Sequence, residues 1–262
     1  MKTVSFVCAA LAALLFVGKS TMAATLFSDD FEAGVSSGTW TQVAIAGQSL
    51  LQGDTGGHHL GAQSAKQVNA FVDGVVDVYY MRNKPGTVSV GIVPSGQREV
   101  ATVQFWDENI RTDTSQDGST NLGGAIMLAN SSGSDFYQVG VNSAVSLNNY
   151  YVRTSLGGNV ATSVARTQGW HELRIEALPY TGSNDVQFYI DNALVGTGNR
   201  RPGAGAGFVL DEIRLGLSVR TPDSPFWFDN VSLAMVPEPG CFALLCCVWA
   251  GLSSSRRRQA TA

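Results

Sequence analysis

The residues that could move protons come first. Asp107-Glu108 and Asp211-Glu212 are adjacent carboxylate pairs, and Glu172 and Glu176 flank Arg174. Hydrolysis of a glycosidic bond needs two carboxylates about 5 to 10 Å apart across a cleft. Adjacent positions on a strand point to opposite faces, so neither adjacent pair can meet that need by itself. Glu172, Arg174 and Glu176 share one face, and alternating charge there predicts an exposed, ion-paired strand face. His171-Glu172 opens HELRIE, which lacks the second histidine of a zinc-protease helix. His171 instead shares parity with apolar Leu173 and Ile175, so it is expected at the core or its edge. His58 and His59 follow Gly56-Gly57, and adjacent histidines hold a metal only with ligands from elsewhere; a solvated loop is expected. No glycine-rich run follows a strand and opens a helix, and the 201–207 stretch is a flexible loop by composition.

Two further groups bear on binding. Asp29, Asp30 and Glu32 lie near the start of the body, and Asp229 and Asn230 near its end. If the terminal strands pair, Asp30, Glu32 and Asp229 bring hard oxygen ligands together, which suits a structural Ca²⁺. A surface turn at Asp29-Asp30 and a β-bulge at Asp229-Asn230 form the alternative, since Phe228 and Val231 share a face only with one extra residue between them. For stacking on pyranose rings the candidates are Trp106, Tyr150 and Tyr151, with Tyr79 and Tyr80 behind them and the amides of Asn148 and Asn149 alongside. Trp40, Trp170 and Trp227 are expected in the core, where large aromatics fill sandwiches.

The elements that must position these residues read as strands. Alternation is clear at Trp170–Ala177, at Val186–Ile190 and from Ile213 to Val219. The turn at 179–184 and the Asp191-Asn192 pair punctuate the first two, and Ala193–Val195 is expected to fold back. Short runs at Val88–Val93, Val100–Trp106, Gly124–Ala129, Phe136–Val141 and Tyr150–Leu156 repeat the pattern. Many strands spaced by roughly ten residues indicate a β-sandwich.

The ends differ from the body. Lys2, an apolar run from Val4 to Val17 and small residues at Thr21 and Ala23 make a signal peptide, residues 1–23. All four cysteines, Cys8, Cys241, Cys246 and Cys247, lie in the ends. The 24–235 body therefore has no disulfide framework, thiolate nucleophile or cysteine zinc site. It holds 12 Lys and Arg against 20 Asp and Glu, a net charge near −8. Such a body makes no nucleic-acid partner expected, because phosphate contacts need clustered cations, and it favours neutral over anionic polysaccharide.

Residues 236–262 contain Pro237-Glu238-Pro239, an apolar run from Cys241 to Leu252, and Arg256-Arg257-Arg258. This order resembles the PEP-CTERM sorting signal of bacterial exported proteins. The resemblance implies processing by an exosortase-like membrane enzyme, export through the inner membrane and delivery to the cell surface. It implies a short C-terminal hydrophobic helix that engages the membrane at least transiently. The continuously apolar run is about 12 residues, short of the roughly 20 that a resting span needs.

The body opens LFSDDFEAG, closes FWFDNVSL and carries GWHELRIEAL and DVQFYIDNALVG between. These segments resemble the concanavalin A-like jelly roll of lectins, laminin-G-like modules and some glucanases. A galactose-binding-like sandwich is the alternative. The resemblance implies an all-β antiparallel sandwich, flanked by the signal helix and the C-terminal helix, with its terminal strands as neighbours. The Glu-x-Asp-x-x-Glu spacing that the glucanases of this fold carry on one strand face is absent. The expectation is therefore a surface-sorted protein without catalysis, with a carbohydrate-binding or matrix and adhesion role and no cofactor beyond calcium. A glycan hydrolase or lyase of the same fold is the first alternative, and a structural envelope protein without ligand the second.

Overall fold

In a computed structural model of the chain, the described residues are 23–36, 38–43, 51–67, 80–83, 93–110, 123–130, 135–201, 210, 212–216 and 226–238. Met1–Ala24 together with Val236–Ala262 form one unit and Thr25–Met235 form the other. Every regular element described is a strand, and among the described residues no helix is long and apolar enough to cross a membrane. The two expected terminal helices, Pro239 and the three arginines lie outside the described residues.

In chain order the strands are β1 (Ala24–Asp29), β2 (Trp40–Val43), β3 (Leu51–Asp54), β4 (Ser64–Gln67), β5 (Tyr80–Asn83), β6 (Gln97–Asp107), β7 (Gly123–Ala129) and β8 (Phe136–Asn142). They continue with β9 (Asn149–Thr154), β10 (Gly158–Ala165), β11 (Gly169–Ala177), β12 (Val186–Ile190), β13 (Ala193–Gly198), β14 (Glu212–Leu215) and β15 (Trp227–Pro237). One sheet runs β13-β12-β11-β6-β15-β4-β3, with β1 also on β15. The other runs β10-β9-β8-β7-β14-β5-β2. The expected pairing of the first and last strands is present.

Alternation builds the first sheet. Ala101, Val103 and Phe105 of β6 enter the core with Leu173 and Ile175 of β11 and Val186, Phe188 and Ile190 of β12. Thr102, Gln104 and Trp106 therefore face outward. β6 and β11 run antiparallel in unbroken register from Asp107 opposite Gly169 to Glu99 opposite Ala177. Arg174 bridges Glu172 and Glu176, both at 3.0 Å, so the expected ion pairing is present, but Glu176 is buried rather than exposed. Two turns hold the hairpins. Asp185 accepts the N–H groups of Thr181 and Gly182 and the Thr181 hydroxyl, closing β11 to β12. Asp191 and Asn192 both take positive φ, 48° and 66°; this conformation gives the tight two-residue turn whose twist matches its strands.

β15 carries the expected bulge. Asn230 sits at φ 47°, and Phe228 and Val231 both reach the core. The second sheet departs from simple alternation. β7 is buried along its whole length, and most of β8 and β9 with it. One face of β7 supplies Ile126 and Leu128 to the main core, while Ala125 packs with Tyr151 and Val145 in a second cluster. GGAIMLA reads as a continuous apolar run because both of its faces are covered.

Candidate functional site

The outward face of the first sheet gathers aromatic and ionisable side chains from distant parts of the chain. Trp106 on β6 lies directly opposite Trp170 on β11, with rings 5.7 Å apart and edge to face. Trp227 on β15 lies opposite Lys66 on β4, whose ammonium sits 5.0 Å from the Trp227 ring. Lys66 in turn faces Gln52, and Ser64 faces Asp54, which brings Asp54 to the same side. Register thus sets Trp106 against Trp170 and Trp227 against Lys66, and β15 lies next to β6 in the sheet.

The loop between β3 and β4 completes the site. The His58 ring lies flat on Trp106, 3.7 Å between centres, and meets Trp227 edge-on at 4.7 Å. His58 Nε2 is 2.7 Å from Glu108 Oε1, and Gln168 Nε2 donates to the other Glu108 oxygen at 3.0 Å. The Trp227 indole N–H donates to Asp54 at 2.5 Å. Burial acts to raise the Asp54 carboxyl, but hydrogen bonds from Trp227 and the Gly56 N–H and the charge of Lys66 outweigh it. The group is held below its ordinary value, so it is ionised at neutral pH. Gly57 is required here: a Cβ would collide with Asp54 Oδ2 and the Trp227 indole. Further along, Ser64 Oγ donates to the His58 carbonyl and Asp229 accepts the Leu60 N–H.

Behind this face a buried ion pair sets the position of Glu108. Asp107, the last residue of β6, points inward and takes two hydrogen bonds from Arg166, at 2.6 and 2.9 Å. Arg166 also donates to the carbonyls of Ile110 and Leu147. With Asp107 pinned inward, alternation sends Glu108 outward to His58.

The expected residues fare differently. Trp106 is in the patch. Tyr150 and Tyr151 are corrected: both are fully buried, 0% exposed, so neither offers a face to a sugar. Burial pushes both phenols well above their ordinary range, and both stay neutral. Tyr79 lies outside the described residues. Of the tryptophans expected in the core, Trp40 is there, stacked on Phe31 and hydrogen-bonded to Asp29. Trp170 is not; it lies half-buried on the outward side of β11 beside Trp106. Trp227 is buried as expected, at 4% exposed, but on the outward side of β15 against His58, because the bulge at Asn230 shifts the parity of that strand. His58 is also corrected, from a solvated loop to the centre of the patch. His59 faces its own loop, with Nδ1 2.6 Å from the Gly61 carbonyl. His171 is buried as expected, with Nδ1 2.7 Å from Asp191.

The calcium candidates lie close together but are each engaged by the backbone. Glu32 accepts the Ala62 N–H on both oxygens, Asp30 accepts the Glu32 N–H, and Asp229 accepts those of Leu60 and Asn230. Among the described residues no group of three or more His, Cys, Asp or Glu is arranged to hold a metal ion. Burial pushes the Asp229 carboxyl up, and the charges of Glu32 and Asp30 add to that against the two N–H groups. A raised carboxyl is neutral to stability below its ordinary value and disfavours the fold progressively as pH rises from there through its higher folded value. Asp229→Asn is therefore expected to lose one acceptor at every pH, and to gain on the wild type as pH rises from acid to neutral. Melting temperatures of both proteins across that range check the sign.

No protein-family model matches the chain, and no curated protein does. Solved structures do. An endo-1,3-β-glucanase from Streptomyces sioyaensis aligns at a TM-score of 0.55 with 11% identity, over 84% of this chain and 99% of that one. The body is a jelly roll. The globular domain of T. cruzi calreticulin aligns at 0.49 with 12% identity, over 88% and 95% of the two chains. A carbohydrate esterase of the Shiga toxin-encoding bacteriophage phi24B aligns at 0.48 with 13% identity, over 82% and 99%. The expectation of no catalysis is overturned here. It rested on one carboxylate spacing within one strand, yet the jelly roll is the fold of a working glucanase. In this chain Asp54, the last residue of β3, and Glu108, just past the end of β6, reach one patch, an arrangement that no local spacing can reveal.

Proposed function

We propose that the jelly roll is a glycan hydrolase acting on neutral polysaccharide at the tryptophan patch. The observation that carries this reading is the half-buried His58–Trp106 stack, bordered by Trp170 and by the carboxylates Asp54 and Glu108, with the buried Trp227 supporting it from below. Aromatic walls suit the apolar faces of pyranose rings, and carboxylates suit their hydroxyls and the proton transfers of hydrolysis. The glucanase that shares the fold supports the same direction. The acidic body and the two carboxylates against one Lys66 favour uncharged over uronic or sulfated chains.

The test is reducing-sugar release from a panel of neutral polysaccharides by the purified protein. Wild type is expected to release sugar from at least one, and Trp106→Ala to raise KM about tenfold while the fold is retained, the loss of one stacked ring. A folded protein that releases nothing across the panel overturns the reading.

We propose further that residues 1–23 direct export and that Pro237-Glu238-Pro239, the apolar run and Arg256-Arg257-Arg258 direct sorting to the cell surface. An exosortase-like enzyme would process the tail, with the membrane engaged at least transiently. The order of the three parts in the sequence supports this. Alanine at Pro237, Glu238 and Pro239 is expected to abolish processing and retention in cell fractions; unchanged fractionation would refute it.

A further inference from the structure

Thr167, His171 and Asp191 form a chain of hydrogen bonds where β10 gives way to β11. His171 Nδ1 is 2.7 Å from Asp191 Oδ2, and its Nε2 is 3.1 Å from the Thr167 hydroxyl. A carboxylate beside Nδ1 keeps the proton of the neutral ring there, so Nε2 is the acceptor for the hydroxyl. Nε2 also lies 3.0 Å from the Thr167 carbonyl, which receives its hydrogen once the ring is protonated.

Each member is held by its neighbours. Arg166, the residue before Thr167, is pinned by its buried pair with Asp107 and donates its N–H to the Asn148 carbonyl. Asp191 accepts the Glu172 N–H on its other oxygen and donates its own N–H to the Glu172 carbonyl. The His171 ring is buried and meets Tyr150 edge-on at 5.6 Å. The hydroxyl at the end of this chain is open to solvent. Thr167 and Gln168 are both exposed, and a Cβ on Gly169 would meet nothing within 4 Å. The Gln168 N–H has no acceptor among the described residues.

We propose that Thr167 is the nucleophile of an esterase site, with His171 as its general base and Asp191 as the residue that positions the ring. Hydroxyl, imidazole and carboxylate in this order activate an alcohol for acyl transfer. The free N–H of the residue after the nucleophile is a donor for the oxyanion of the tetrahedral intermediate. Thr167 Oγ bonds to the ester carbon as its proton passes to His171 Nε2. The bond from that carbon to the alcohol oxygen then breaks, and the leaving oxygen takes the proton. Water, deprotonated by the same nitrogen, releases the acid and restores the hydroxyl. The alcohol half is a sugar, an assignment that rests on the reading of the tryptophan patch: Gln168 donates to Glu108, and Trp170 follows two residues later. The substrate class is therefore an O-acyl ester of a neutral polysaccharide.

The test gives the purified full chain p-nitrophenyl acetate and an acetylated neutral polysaccharide, and reads nitrophenolate, free acetate and reducing sugar. Wild type is expected to cleave both esters. Thr167→Ala and His171→Asn are expected to lower kcat by about 10²–10⁴, and Thr167→Ser to keep most of it. Asp191→Asn keeps the turn, since asparagine tolerates positive φ, and is expected to lower kcat with KM unchanged. A fluorophosphonate is expected to label wild type on the peptide that holds Thr167 and to leave Thr167→Ala unlabelled. Circular dichroism confirms that each variant is folded. A wild type that cleaves neither ester overturns the proposal, as does a Thr167→Ala protein of undiminished rate. Cleavage of the nitrophenyl ester without acetate from the polymer overturns the sugar assignment. Acetate without reducing sugar overturns the glycan hydrolase reading and leaves the esterase site standing.

Discussion

Arg166→Ala is expected to destabilise the protein by about 3–5 kcal/mol, the usual loss when one partner of a buried ion pair is removed. Both partners are almost wholly out of water, Arg166 at 1% and Asp107 at 0% exposed. The alanine leaves the Asp107 carboxylate buried without its guanidinium. It also strips the carbonyls of Ile110 and Leu147 of the donors that Arg166 gives them. An unsatisfied buried acceptor adds about 1–3 kcal/mol of its own. The double variant Asp107→Leu, Arg166→Met separates the two contributions. Replacing a buried pair by apolar groups of similar size is often neutral or stabilising, so the double variant should recover much of the loss. It should not recover all of it, because the two carbonyls still lack donors. Urea unfolding midpoints of wild type, single and double variants measure this. A single variant within about 1 kcal/mol of wild type would show that the pair is not desolvated as described.

The fold is more legible in the sequence than the site. Hydrophobic alternation in β6, β11 and β12 is a local property, and it marks those strands and their inward residues without reference to the rest of the chain. The Asp191-Asn192 turn is equally local, since its two residue types tolerate positive φ. β10 was missed because both of its faces are largely wet, so GNVATSVA has no period to show. β3 and β4 were missed because four-residue strands are too short for one. The site depends on relations that no window contains. His58 reaches Trp106 through a loop whose path is set by Gly57 and by hydrogen bonds to Asp229 and Ser64. Trp227 lies on the outward side because the bulge at Asn230, three residues later, resets the parity of β15. The bulge itself was readable from Phe228 and Val231, and carrying that parity back to Trp227 would have placed it with Trp106. Tyr150 and Tyr151 show the opposite failure. Adjacent tyrosines on a strand suggest one exposed ring, but β9 itself is covered on both faces.

Glu108→Gln is expected to lower kcat by a factor of about 10²–10⁴, the usual contribution of a positioned proton-transfer group. The amide keeps the size of the side chain and can still meet His58 and Gln168, so melting temperature should stay close to wild type. Asp54→Asn tests the second carboxylate. Asparagine still offers an oxygen to the Trp227 N–H, but it removes the negative charge beside the ring stack. If Asp54 faces the positive charge that develops on the sugar during bond cleavage, kcat should fall as steeply as for Glu108→Gln. The pH dependence gives a further check. The Asp54 carboxyl is depressed in the folded protein. Its favourable contribution to stability is thus fully present above the ordinary aspartate value and is lost as pH falls through the lower folded value. An acid limb of kcat contributed by Asp54 should accordingly lie below the ordinary aspartate range and vanish in Asp54→Asn. Trp106→Ala should behave differently from both, raising KM with kcat little changed, because a stacking wall serves bound substrate and transition state alike. If all three variants instead lose activity only in proportion to lost folded protein, the patch is a structural feature of the sheet and the hydrolytic site must lie elsewhere.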